Sequence, residues 1–364
     1  MTARLIQTLA GVAAAFSVYA AEPDQSARHG NYYGARTTEY PAWFKNSFLD
    51  LRADIDEAAH ANKRVILMFT QDNCPYCAAL VERNLSQREI EATLKEKFDV
   101  IAVNLWGDRE LVGLDGKHYS EKTYGAAQKI QFTPSLFFFD EAGNTVLRLN
   151  GYVPPARFKA ALDWVGERRE KAVAFRDFVA ARESGEQAGG ALIREDFFMA
   201  APRDLRRTGK HAKPLAVFFE QKDCPDCDVL HRRVLADPEA RQIIGRFDNA
   251  QLDMWSRDVI VTPQGERLPV RDWVRKLGVN YAPGIVLFDA NGREIIRWES
   301  SFRVFHTLGM FDYVLSGAYR TEPSFQRFLS ARAEHIRESG RHVNIWRYAD
   351  EPLALQPDNT TRTP

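Results

Sequence analysis

Short apolar runs alternate along this chain with stretches in which apolar residues return every three or four positions. From Phe48 to Ala61 the spacing is helical, and Val65 to Phe69 is an unbroken apolar run of strand length. A Cys-Pro-Tyr-Cys at residues 74–77 follows, at the junction to a helix predicted through Leu85. Val100 to Leu105 predicts a second strand, Leu114-Asp115-Gly116-Lys117 a tight turn, and Ser120 the cap of a helix reaching about Lys129. Ser135 to Phe139 and Thr145 to Leu149 read as strands joined by the turn Glu141-Ala142-Gly143-Asn144, and Arg157 to Val165 as a closing helix. Strands alternating with helices and ending in a hairpin predict an α/β fold, a mixed β-sheet flanked by helices.

The whole pattern is written twice. Cys74-Pro75-Tyr76-Cys77 returns as Cys224-Pro225-Asp226-Cys227, 150 positions on and again just after an apolar run. Trp106 pairs with Trp255, Gly116 with Gly265, Tyr124 with Trp273 and Pro134 with Pro283, all 149 apart, and Asn291-Gly292 marks the second hairpin turn. The segment FRDFVAAR from Phe175 resembles FQRFLSAR from Phe325. A repeat that holds register this long predicts two tandem domains, residues 43–185 and 193–340, joined through the polar, Gly-rich seam Ser184 to Gly190. Residues 341–364 read as a mobile tail.

Residues 1–21 have the order of a secretory signal peptide, with Arg4, an apolar run from Leu5 to Val18 and small residues at Ala20 and Ala21. An uncleaved anchor is the competing reading, and the run is shorter than the roughly 20 residues that span a bilayer. The expectation is an exported mature protein, not membrane-spanning, and periplasmic in a Gram-negative host. Lys plus Arg and Asp plus Glu are both 49, so no net positive field exists to hold a nucleic-acid backbone, and nucleic acid is not expected as a partner. With 45% hydrophobic residues the chain has ample core, and four cysteines in 364 residues are too few for a disulfide-built scaffold.

The placement of those four therefore carries the chemistry. A staple across four residues closes too short a loop to stabilise much, and one zinc site would need both pairs brought face to face. His231, four residues after Cys227 where repeat one has Val81, reads as an ordinary helix residue, with a soft-metal site of Cys224, Cys227 and His231 as the alternative. The repeated aromatics Trp106, Trp255, Tyr124 and Trp273 read as core or cleft wall.

A strand, a Cys-Pro-x-Cys at a helix start and a Thr-Pro or Ala-Pro before a later strand together resemble the thioredoxin fold. Each unit is most similar to the exported SoxW-type thioredoxins, through Phe219-Glu220-Gln221 ahead of the second motif, the Asp-Gly turn and Phe132-Thr133-Pro134-Ser135. In two places the chain departs from the family pattern. The Trp that commonly precedes the motif is Asn73 or Asp223, and the buried acid six positions before the first Cys is Met68 or Phe218. The resemblance implies two tandem thioredoxin-like domains and a thiol-disulfide oxidoreductase, with a reductase of protein disulfides as the favoured direction. Its partners would be protein thiols and disulfides and a membrane-bound thiol reductant, with no bound cofactor and no metal.

A helix N-terminus lowers a cysteine's pKa, so Cys74 and Cys224 are the expected nucleophiles and Cys77 and Cys227 the resolving thiols. Pro75 and Pro225 fit the first helical turn. In the family the distal proline is cis and lies beside the cysteines, which implies substrate-binding surroundings of Pro75, Tyr76, Thr133 and Pro134 in one site. Pro225, Asp226, Ala282 and Pro283 would make the other. Asp223 and Asp226 beside Cys224 predict a higher nucleophile pKa and a more reducing second site, with Lys222 opposing. The competing function is a non-catalytic binding protein, a chaperone or soft-metal carrier that uses the paired folds as a clamp.

Overall fold

The computed structural model describes residues 29–183, 190–200, 204–208, 212–299 and 303–353. The expected signal peptide, residues 184–189 of the seam and residues 354–364 of the expected tail lie outside the described residues.

After a short β1 (Tyr32–Tyr33), repeat one runs α1 (Leu51–His60), β2 (Arg64–Thr70), α2 (Pro75–Ala79), α3 (Arg88–Lys97), β3 (Phe98–Asn104), β4 (Glu110–Val112), β5 (His118–Ser120), α4 (Glu121–Ala127), β6 (Ser135–Phe139), β7 (Thr145–Asn150), α5 (Pro155–Gly166) and α6 (Phe175–Glu183). Repeat two follows with β8 (Leu215–Glu220), α7 (Pro225–Val229), α8 (Pro238–Ile244), β9 (Asp248–Asp253), β10 (Val259–Val261), β11 (Arg267–Pro269), α9 (Val270–Leu277), β12 (Gly284–Phe288), β13 (Glu294–Trp298), α10 (Val304–Leu315) and α11 (Phe325–Glu338), and β14 (Val343–Asn344) is the last element among the described residues. The sheets share one topology, β3-β2-β6-β7 and β9-β8-β12-β13, with the first pair of each parallel and the others antiparallel.

Local chemistry accounts for these elements. Asp50 caps α1, accepting from the N–H groups of Arg52 and Ala53, and Ser120 opens α4 with a reciprocal capping box to Thr123. All seven residues of β2 are buried, as a central strand covered on both faces requires. Helix α3, not foreseen from the pattern, has only two large apolar residues, Ile90 and Leu94, and buries both.

The outer face of each sheet has its own core. Leu67, Phe69 and Phe137 pack with α1 in repeat one, and Val217, Phe219 and Val286 with α9 in repeat two. The opposite faces merge into a single core that joins Ile66, Met68 and Phe138 to Phe218, Leu287 and Phe311. Phe138, Phe218, Phe311 and Phe325 are each under 2% exposed, and a side chain of this size buried so fully stabilises by about 1.5–3 kcal/mol.

Helices that the sequence puts at the end of each unit bridge to the other. Phe175 of α6 packs edge-on against Tyr281, ring centroids 5.6 Å apart, while Phe325 of α11 does the same to Phe132 at 5.4 Å. The segment expected as tail is also built in as far as it is described. β14 pairs in parallel with β1, and Val343, Asn344 and Ile345 are buried because they close this clasp over α11.

Candidate functional site

Each Cys-Pro-x-Cys sits where a strand gives way to a helix. Asn73 and Asp223 turn the chain with φ of 58° and 48°, a left-handed conformation that Asn and Asp tolerate better than other side chains. That backbone requirement is a local reason for the departure from Trp at this position. Cys74 and Cys224 are then the N-caps of α2 and α7, each Sγ accepting at 3.1 Å from the N–H of the cysteine three residues on, with Pro75 and Pro225 in the first turn. An anion at either sulfur would meet those N–H groups and the positive end of the helix. Both pairs form disulfides, with Cα atoms 5.3 and 5.2 Å apart.

The later prolines come to the same place in each fold. Thr133-Pro134 and Ala282-Pro283 are cis peptides at the starts of β6 and β12. Cys74 Sγ lies 3.4 Å from Thr133 Oγ1 and 3.6 Å from the Thr133 carbonyl oxygen. Cys74, Pro75, Tyr76 and Thr133 line a cavity of about 380 Å³ with Trp106 and, from repeat two, His306 and Gln326. Cys224, Pro225 and Cys227 line one of about 300 Å³ with Asp223, Glu220 and the segment 191–193. Trp106 and Trp255 make matched hydrogen bonds, their indole N–H groups donating to Gln71 and Gln221, and Trp106 also lines the first cavity.

The third motif residue of each site reaches across to the other repeat. Tyr76 is buried, its hydroxyl accepting from the Arg303 N–H at 3.1 Å and lying 3.3 Å from His306 Nδ1, while its ring packs on Trp346. Burial pushes the Tyr76 phenol up, and pulls His306 down to about 3 with the charge of Arg332 adding to it. Asp226 is met in the same way by Arg157, 3.4 Å away, which also donates to the Ala282 carbonyl at 2.8 Å. Arg157 and His306 occupy equivalent third positions of α5 and α10, so the contact is reciprocal. Neither was visible as a site residue in the sequence. Their spacing of 149, the same as between the distal prolines, was the available signal.

One further cluster was missed. His231 Nε2 lies 3.0 and 3.1 Å from the two oxygens of Glu220, and its Nδ1 lies 3.0 Å from Glu195. Both ring nitrogens therefore face carboxylates. Among the described residues no group of three or more His, Cys, Asp or Glu is arranged to hold a metal ion.

The profile of the thioredoxin-like domain family matches residues 51–166 and again residues 201–309. The chain belongs to the thioredoxin-like domain family. Among curated proteins no sequence matches it. Solved structures similar to it include a thioredoxin-fold protein from Helicobacter pylori, 21% identical over 34% of this chain and 86% of that one, with a TM-score of 0.30. The C-terminal domain of DsbD from Neisseria meningitidis in its oxidised form is 20% identical over 33% of this chain and 93% of its own, TM-score 0.24. A thioredoxin from Thermus thermophilus is 21% identical over 38% of this chain and 87% of its own, TM-score 0.25. Two thioredoxin-like domains with a disulfide-forming Cys pair in each support thiol-disulfide oxidoreductase chemistry at the level of the family. No helix among the described residues is long and apolar enough to cross a membrane.

Proposed function

We propose that this thioredoxin-like protein is exported, resembles the SoxW-type thioredoxins in use as well as in motif, and reduces disulfides in other proteins through two dithiol sites. The observation that carries the reading is the pair of N-capping cysteines, Cys74 and Cys224, each closed in a disulfide at the head of a helix. A thiolate there attacks a partner disulfide, and the cysteine three residues on resolves the mixed disulfide. Export is supported by the order of residues 1–21, and a membrane-bound thiol reductant would keep such a protein supplied with electrons in an oxidising compartment.

The direction is tested by the reduction potential of each site, read on two variants that each keep one cysteine pair and are equilibrated in defined thiol buffers. Values near about −270 mV are expected for a donor of electrons, and values near about −120 mV would make the protein a disulfide donor and overturn the reductase reading. A second reading, a non-catalytic clamp, is favoured by the cover over the first motif, where Cys74 is 1% exposed. Insulin reduction separates the two. The Cys74→Ser, Cys224→Ser double variant should lose all activity, and full function in that variant would leave only the clamp.

A further inference from the structure

Resolution of a mixed disulfide requires the second cysteine to shed a proton, because the thiolate is the attacking species. In repeat two that cysteine, Cys227, is 3% exposed, so bulk water is not at hand. Beside it lies a chain of buried polar groups. Glu220, the last residue of β8, shares the 300 Å³ cavity with Cys224 and Cys227. Its carboxylate accepts from Gln251 at 3.0 Å and meets His231 Nε2. His231 Nδ1 meets Glu195, and Glu195 accepts from Arg241 at 2.9 Å; Arg241 in turn holds the exposed Asp196. From Glu220 to the surface the hydrogen-bonding groups follow one another without a break, and Cys227 shares the cavity in which that chain begins.

Repeat one folds the same way without any of it. Where the second sheet pairs Phe218 with Gln251, the first pairs Met68 with Ala102, and Thr70 and Val81 stand for Glu220 and His231. Buried ionic groups are seldom worth their desolvation as stabilisers, so a cluster that the fold does not need calls for a chemical use. Burial pulls His231 down, but the hydrogen bonds and charges of Glu220 and Glu195 outweigh it and raise its pKa. The other charged groups nearby are Asp223 and Asp228 on the cavity wall, while Arg232 is paired with Asp228 and Arg233 with Asp350 and Glu351.

We propose that Glu220 accepts the Cys227 proton and that His231 and Glu195, as positioning residues, carry it to the surface, giving the second site a proton path that the first lacks. This rests on the exchange reading above. The Cys224 thiolate attacks one sulfur of a partner disulfide, the partner's S–S bond breaks, and its other sulfur leaves as a thiolate. Cys227 then gives its proton to Glu220 and its sulfur attacks Cys224. The Cys224–Cys227 disulfide forms, the partner's first sulfur is released as a thiolate, and two electrons have passed from the cysteine pair to the partner. With His231 neutral and its proton on Nδ1, Nε2 takes the Glu220 proton as Nδ1 passes its own to Glu195, and Glu195 releases its proton to water. The cavity is polar and roomy enough for a water to bridge sulfur and carboxylate.

The test uses the full chain with Cys74→Ser and Cys77→Ser, reduced and mixed with the aromatic disulfide 5,5′-dithiobis(2-nitrobenzoate). The first thionitrobenzoate released reports Cys224, and the second reports Cys227 closing the ring. Glu220→Gln should slow the second phase about 100-fold near pH 7, far more than any change in the first phase, and the second phase should recover as the pH passes about 9, where hydroxide takes the proton. Glu195→Gln, nearer the surface and less able to disturb folding, should give a smaller loss of the same pH shape. A second phase that is unchanged in both variants, or slowed equally at every pH, overturns the proton path. No first release from the parent chain would instead overturn the exchange reading, and the path with it.

Discussion

The two dithiol sites share a backbone and differ in what covers them. Both present a capping cysteine, a first-turn proline and a cis-proline loop, and both meet the third position of a helix from the other repeat. Yet the first motif is buried from Cys74 through Cys77, with Tyr76 held against an imidazole and an indole. The second leaves Pro225 exposed and meets its partner helix through an ion pair, Asp226 with Arg157. Duplication has kept the chemistry of the helix start, and the difference between the sites lies in the neighbours. An aromatic contact seals a site by packing, whereas a partly exposed ion pair holds it more weakly.

The sharpest way to break this comparison is to remove the third motif residue from each site. Tyr76→Ala empties a fully packed place between repeats, and the loss of a buried aromatic side chain should cost about 3–5 kcal/mol in urea unfolding. Asp226→Ala, at a pair whose carboxylate is 27% exposed, should cost about 1 kcal/mol or less. Equal losses would mean that the two covers are energetically alike.

How much of this was legible in the sequence follows from which forces act locally. The strands, the Cys-Pro-x-Cys helix starts and the distal prolines lie in stretches whose own pattern sets the element. The duplication followed from register alone. Three-residue strands such as β4 and β5 are too short to show alternation, so only the turn between them was foreseen. The crossing of α6 and α11 and the reciprocal reach of Arg157 and His306 depend on how the repeats pack, which no local pattern encodes. Glu220 was hidden for a different reason. A single acid at the end of an apolar run reads as the strand's polar boundary, and only the fold brings His231 and Gln251 onto it.

Next in size is an effect of pH at two positions where repeat two titrates and repeat one does not. His306 titrates ordinarily near 6.5 and is held by burial at about 3 in the fold, so it stays neutral there while the unfolded chain takes up a proton. Its contribution to stability is whole above about pH 6.5 and is lost as the pH falls towards 3. Glu299 has the opposite sign. Burial raises it from 4.5 to about 7, so the cost of its charge is absent below 4.5 and grows as the pH rises to 7. The equivalent residues of repeat one, Arg157 and Asn150, do not titrate in this range. Melting temperature followed from pH 3 to 8 should therefore flatten on the acid side in His306→Gln and between 4.5 and 7 in Glu299→Gln. A parent chain whose profile neither substitution changes would deny both groups the burial that shifts them.

The smallest effect concerns the nucleophile of the second site. The sequence predicted a raised pKa for Cys224 from Asp223 and Asp226 together, and the structure sets Arg157 against one of the two, 3.4 Å from Asp226. What remains is the exposed Asp223 next to the sulfur, acting through water-rich surroundings where charges several ångströms apart exchange about 1 kcal/mol or less. Removing either charge should then move the midpoint of iodoacetamide alkylation by about half a pH unit. Asp223→Asn should lower the Cys224 midpoint, because one opposing negative charge is gone. Arg157→Ala should raise it, because Asp226 is no longer balanced, even though the same substitution frees the Ala282 carbonyl and speeds alkylation at high pH by opening the site. Midpoint and limiting rate thus move independently, one reporting charge and the other access. If Arg157→Ala changed the rate and left the midpoint where it was, Arg157 would be a cover and not an electrostatic partner of the second site.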